Sequence, residues 1–109
     1  MEKKNIDWEN LGFGYIKTDY RYVSDYKNGA WDEGGLIEDD KVVISECACV
    51  LQYAQTVFEG LKAYTTEDGR IVTFRPDLNA ERMIQSAERL EMPVFPADRF
   101  VDAVTQTVK

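Results

Sequence analysis

Apolar and polar positions change rhythm along this chain, from a period near two over the first two thirds to a helical period over the last third. Residues 16–23, Ile-Lys-Thr-Asp-Tyr-Arg-Tyr-Val, alternate roughly as a half-buried strand does. Asn28-Gly29 is a turn signal, and residues 31–37 predict a second strand reached through glycines, closed by the solvated turn Glu38-Asp39-Asp40. Val42-Val43-Ile44 predicts a further short strand, and residues 47–53 are compatible with a helical turn. The clearest sheet element is a hairpin. Residues 57–64 and 70–74 flank Thr65-Thr66-Glu67-Asp68-Gly69, and Asp-Gly between two such runs favours a tight reversal.

Two helices follow. Ala80, Met83, Ile84, Ala87 and Leu90 recur with helical spacing and form one apolar stripe, from about residue 77 to about residue 91. Pro93 and Pro96 interrupt it, and Pro96 suits the first turn of a second helix striped by Ala97, Phe100, Val101, Val104 and Val108. Strands followed by helices make an α+β domain, a mainly antiparallel sheet flanked by helices. The last helix runs to Lys109 with no Gly, Asn or Pro behind it to cap its carbonyls, as expected of a fragment of a longer chain.

Composition narrows the class. A length of 109 residues fits one domain, residues 1–109, and 44% hydrophobic with 12% aromatic content is that of a globular chain rather than a disordered one. The net charge is −7, with 13 basic residues scattered among 20 acidic ones, which argues against nucleic acid or an anionic membrane as partner. No apolar run reaches the ~20 residues of a membrane span, and no apolar segment follows Met1-Glu2-Lys3-Lys4-Asn5 as a secretory signal would require, so a cytoplasmic protein is expected. Cys47 and Cys49 are too close for an unstrained bridge and too few for a structural zinc site without histidine, and read as reduced packing residues.

The chain has no histidine at all. That removes the Ser-His-Asp triad, the Cys-His dyad and the HExxH zinc site, and no glycine-rich phosphate loop is present. Chemistry here must use Lys, Tyr, carboxylates or a bound cofactor. A lysine of depressed pKa can condense with a carbonyl, and Lys62 sits in an apolar strand setting, but alternation with Leu61 and Ala63 points it to solvent. Arg82 stands about 140° around its helix from the centre of the apolar stripe, which predicts exposure. An exposed arginine near the start of a helix is also suited to an anion, since guanidinium offers a planar fork to phosphate oxygens.

Three segments share one likeness. Tyr53 followed by Phe58-Glu59-Gly60-Leu61-Lys62-Ala63-Tyr64, then Pro76 with Asn79, Arg82-Met83 and Ser86-Ala87, and before both Phe13-Gly14 with Thr18-Asp19, resemble, in order and spacing, the N-terminal motifs of branched-chain amino-acid aminotransferases, of the fold-type-IV pyridoxal-phosphate group. The resemblance covers residue 12 to the end. It implies the small N-terminal domain of a two-domain, homodimeric enzyme that moves an amino group between leucine, isoleucine or valine and 2-oxoglutarate through pyridoxal 5′-phosphate. It assigns Arg82 to the cofactor phosphate and Phe13 and Phe58 to the aromatic walls of the pocket for the aliphatic side chain. Tyr53 matches a pocket residue contributed across the dimer interface.

The family's catalytic lysine belongs to a larger C-terminal domain, so no catalytic residue is expected in this chain and the fragment is expected to be inactive alone. An apolar box can select such substrates yet not separate them sharply, because one methylene is worth only ~1–3 kcal/mol. Read without the resemblance, Phe13, Tyr53 and Phe58 are core aromatics. Two alternatives stand beside the branched-chain enzyme. One is a D-amino-acid aminotransferase or aminodeoxychorismate lyase of the same fold; the other is a non-catalytic, acidic α+β interaction domain.

Overall fold

A computed structural model describes residues 4–109. A short 3₁₀ turn, Trp8–Asn10, opens it, with Asp7 as its cap accepting from the Glu9 amide at 3.3 Å. Residues 11–20 are exposed throughout. Strand β1 (Arg21–Val23) pairs antiparallel with β4 (Gly35–Ile37), with Arg21 opposite Ile37 and Val23 opposite Gly35. Between them, β2 (Tyr26–Lys27) and β3 (Ala30–Trp31) form a two-residue hairpin. Its turn residues, Asn28 at φ 53° and Gly29 at φ 82°, both have the positive φ that matches the twist of the flanking strands.

Helix α1 (Cys49–Tyr53) is little more than one turn and ends in a left-handed Ala54. The hairpin predicted from Asp68-Gly69 is present as β5 (Ala63–Thr65) and β6 (Ile71–Thr73). Thr66 closes it, its amide donating to the Arg70 carbonyl at 2.8 Å, while the Gly69 amide returns to the Thr66 carbonyl at 3.0 Å. Gly69 at φ 84° takes the left-handed place in that loop.

Helix α2 (Pro76–Arg89) starts with proline at its first position, where the missing N–H has no helical partner to lose. Its predicted stripe faces inward: Ala80 and Ala87 are the buried apolar residues among those described. A Schellman closure ends it. The Met92 amide reaches the Ala87 carbonyl at 2.8 Å and the Glu91 amide reaches Glu88 at 3.1 Å, with Glu91 left-handed at φ 56°. Helix α3 (Ala97–Val108) follows, with Pro96 as its N-cap residue rather than inside its first turn, and the Phe100 amide donating to the Pro96 carbonyl at 2.9 Å. It packs on α2 and on the β1–β4 pair.

Tryptophan ties the two ends of the sequence together. Trp31 Nε1 donates to the Val94 carbonyl at 2.8 Å, and its ring meets Phe95 edge-on at 5.0 Å and Tyr26 at 5.1 Å. Arg99 lies over the Phe95 ring and donates to the Asp32 and Glu33 carbonyls at 2.6 and 3.0 Å. One aromatic cluster and one arginine thus hold the α2–α3 connection against the β2–β3 hairpin.

The α+β order holds, but the continuous sheet does not. Among the described residues, three separate two-stranded antiparallel pairs replace it. The predicted 16–23 strand pairs only over 21–23, because β4 offers three residues to pair with. The predicted 31–37 strand is split by a left-handed Gly34 at φ 69°, which sends Trp31 to one pair and Gly35 to another. Val42-Val43-Ile44 is not a strand: no partner pairs with it among the described residues, Val43 is almost fully exposed, and the Arg21 side chain takes the carbonyls of Asp39 and Lys41. Cys47 and Cys49 are free but exposed, not packing residues.

The core is thin. An open apolar cavity of about 590 Å³ lies between the strand pairs and the two long helices, lined among others by Tyr22, Trp31, Leu61, Met83, Phe100 and Val104. The chain exposes 9252 Å², whereas a compact monomer of 12.5 kDa exposes ~6,200 Å². Its radius of gyration is 15.7 Å against ~13 Å for a compact domain of this length.

Candidate functional site

The best-defined polar constellation joins the segment before β5 to the middle of α2. Asn79 and Arg82 are three residues apart on α2 and share one face. That face looks at Glu59 and Gly60. Arg82 Nε donates to Glu59 Oε1 at 3.0 Å and Nη2 to Oε2 at 2.9 Å, a two-bond fork between guanidinium and carboxylate. Asn79 Nδ2 donates to the same Oε2 at 2.8 Å and to the Gly60 carbonyl at 3.0 Å.

Burial is graded across the three. Asn79 is the buried polar residue among those described, at 5% exposure; the Glu59 side chain is 13% exposed and that of Arg82 55%. The carboxylate is therefore enclosed and the guanidinium opens outward. Glu59 is held below the ordinary glutamate pKa, chiefly by the Arg82 hydrogen bonds, against a smaller upward push from desolvation and with Asn79 helping to lower it. The same bonds raise Arg82. Both groups are charged wherever the fold is intact near neutrality.

Periodicity alone made Arg82 a solvated helix arginine. The structure gives it a fixed partner, while leaving Nη1 without a hydrogen bond among the described residues. Arg82 is the seventh residue of α2, about 9 Å along the axis from the first at 1.5 Å per residue, so the first-turn amides are not beside it. The first turn has its own ion pair, Arg75 forked onto Asp77 at 3.1 and 2.8 Å, with Arg75 left-handed at φ 46°.

The three aromatics are not brought together by this chain. Phe13 is fully exposed, Phe58 is 90% exposed and Tyr53 83%. None lines the apolar cavity. Tyr53 borders a small recess with Cys49, Ala54, Gln55 and Leu90. Core packing is therefore not the role of these side chains here. Lys62 is exposed, as its alternation with Leu61 and Ala63 predicted. Glu59 carried no role on periodicity, since 23 residues separate it from Arg82; the signal was its place beside Phe58 and Gly60 in a segment running with the Asn79 and Arg82 helix.

Sequence relatives place the chain among the aminotransferases. It is 53% identical over 97% of its length to the branched-chain-amino-acid aminotransferase of Haemophilus influenzae, and 41% identical over 98% to a branched-chain-amino-acid transaminase of Bacillus subtilis. A methionine aminotransferase of Arabidopsis thaliana is 47% identical over 94% of the chain. The chain belongs to the branched-chain amino-acid aminotransferase family and aligns with the N-terminal part of its members, spanning 31%, 30% and 29% of those three proteins. No protein-family model matches it.

Proposed function

We propose that the whole protein carrying this chain transfers the amino group of leucine, isoleucine or valine to 2-oxoglutarate with pyridoxal 5′-phosphate, and that residues 1–109 are its small N-terminal domain. The observation that carries this is Arg82: the arginine of the family motif is held by Glu59 with its outer edge open. The residues present fit a phosphate monoester in part. Arg82 Nη1 is available among the described residues, and the space around Gly60 is open, nothing lying within 4 Å of where a side chain there would begin. The Arg82–Glu59 pair is near neutral, however, and a phosphate carries about −1.5 to −2 at pH 7. Further donors must come from the rest of the protein.

When bound, the cofactor supplies an electron sink at the substrate α-carbon. The part taken by this chain is positional. Arg82 holds the phosphate end, and Phe13 and Phe58 present aromatic faces to an aliphatic side chain, with Tyr53 serving the neighbouring subunit of a homodimer. No residue here moves the proton; that falls to a lysine of the C-terminal domain, and the exposed Lys62 is not its substitute. The excess surface supports this composite reading. Roughly 3,000 Å² more than a compact monomer exposes is the scale of an obligate interface, which a second domain and a second subunit would cover. No helix among the described residues is long and apolar enough to cross a membrane, and a cytoplasmic enzyme with small-molecule substrates fits that observation.

The test is amino transfer by the protein at the length of its relatives, from L-leucine, L-isoleucine, L-valine and L-methionine to 2-oxoglutarate, beside residues 1–109 alone. Transfer from the branched-chain acids by the long form only is the expected result. Absence of transfer from all three, or transfer by residues 1–109, overturns the reading. L-methionine is included because a thioether suits the same apolar box and one relative is a methionine aminotransferase.

A further inference from the structure

The enclosed carboxylate of Glu59 has no place in the chemistry proposed above, yet three hydrogen bonds converge on it. Two come from Arg82 and one from Asn79, whose side chain is itself buried. Burying an amide is costly unless both of its hydrogens are satisfied, and Asn79 places them on Glu59 Oε2 and the Gly60 carbonyl. The order of burial gives a direction to the arrangement. Asn79 is the fixed member, Glu59 is fixed by it, and Arg82 is the member that reaches the surface.

Resting on the assignment of Arg82 to the cofactor phosphate, we infer that Glu59, locked by Asn79 and the Gly60 carbonyl, is a positioning residue that fixes the plane of the Arg82 guanidinium so that its outer edge faces the phosphate. Glu59 does not touch the phosphate. Its charge on its own opposes an anion, so two roles predict opposite signs. If Glu59 merely neutralises Arg82, removing its charge strengthens phosphate binding. If it orients Arg82, removing one arm of the fork releases the guanidinium to rotate about its long stem and weakens binding. The geometry favours orientation, because a two-bond fork fixes both the distance and the plane of the guanidinium where a single contact fixes neither.

The experiment uses the protein at the length of its relatives and measures equilibrium binding of pyridoxamine 5′-phosphate and of pyridoxamine, which lacks the phosphate. Glu59→Gln keeps the size of the side chain, but its amide presents hydrogens to Nη2 and cannot complete the fork. It is expected to weaken pyridoxamine 5′-phosphate binding ~10-fold, the scale on which outer partners of a binding group act, and to leave pyridoxamine unchanged. Asn79→Leu removes both amide donors at similar volume and should act in the same direction. On an Arg82→Ala background, Glu59→Gln should have no further effect.

Unchanged or tighter binding of pyridoxamine 5′-phosphate by Glu59→Gln overturns the positioning role, as does an equal loss for the two ligands, which would mark Glu59 as a structural residue only. If Glu59→Gln does not yield folded protein, Asn79→Leu decides by the same two-ligand comparison. Arg82→Ala separates the two levels of the argument. Unchanged pyridoxamine 5′-phosphate affinity in that variant removes the phosphate assignment itself, whereas a loss there with none in Glu59→Gln removes the positioning role alone.

Discussion

Gly34 is where a single methyl group should do most damage to the part of the fold that sets the sheet pairing. It sits at φ 69°, in the left-handed region, between the end of the β2–β3 hairpin and the start of β4. A Cβ there would lie 2.5 Å from the Tyr22 hydroxyl and 2.8 Å from Cζ. Holding alanine in that conformation costs about 1–2 kcal/mol. The Tyr22 ring can swing into the adjoining cavity to relieve the clash, but it then gives up its hydroxyl bond to the Glu33 carbonyl at 3.3 Å. A neutral bond of that kind is worth about 0.5–1.5 kcal/mol, so Gly34→Ala should destabilise by roughly 2–3 kcal/mol in all. Chemical unfolding of the intact protein, read at the denaturant midpoint, measures it. Tyr22→Phe supplies the internal control, because in that background the bond is already gone and the cost of Gly34→Ala should fall to about 1–2 kcal/mol. A loss under about 0.5 kcal/mol for Gly34→Ala, or the same cost in both backgrounds, would refute the argument.

Two further expectations follow from the same geometry. Glu91 occupies the left-handed position of a helix ending that favours glycine, so Glu91→Gly should stabilise the protein by about 0.5–1 kcal/mol, with a rise in the unfolding midpoint; a fall would mean that its side chain does more than tolerate the turn. The Arg82–Glu59 fork should be present at and above the ordinary glutamate range and should open only as pH falls through the depressed folded value, since Arg82 lowers the Glu59 carboxyl relative to the unfolded chain. Carbon NMR titration of that carboxyl, assigned with Glu59→Gln, should place its midpoint below the free-glutamate value and move it upward in Arg82→Ala; a midpoint at or above the free value contradicts the fork.

Much of the fold was legible because each local signal was short-range. The 3.6-residue stripe of Ala80, Met83, Ile84 and Ala87 reports one face of one helix and needs no distant partner to be read. Asn28-Gly29 and the Gly69 of Asp68-Gly69 encode positive φ in the residues themselves. The failures were of another kind. Val42-Val43-Ile44 has strand composition but no neighbour to pair with among the described residues, and pairing is a property of two segments. Gly34 splits one apparent strand into two pairs through a single backbone angle, which alternation cannot reveal. The end of α2 was read to within two residues, but the manner of its closure was hidden because its left-handed residue is a glutamate and its closing bonds come from the backbone.

The site divides along the same line. Arg82 was marked by its motif, but its partner lies 23 residues earlier in the chain, and only the crossing of α2 over the segment before β5 brings them together. Phe13, Tyr53 and Phe58 show the complementary case. Their side chains are exposed here, so their composition spoke for burial while this chain provides nothing to bury them against. Both facts have one physical explanation. Apolar groups lower the free energy only when something covers them, and an arginine selects a phosphate only when its plane is fixed. Asn79 and Glu59 hold the plane of Arg82 within this chain, while Phe13, Tyr53 and Phe58 stay uncovered. An oriented cation beside uncovered aromatic faces is the arrangement that the proposed N-terminal domain calls for.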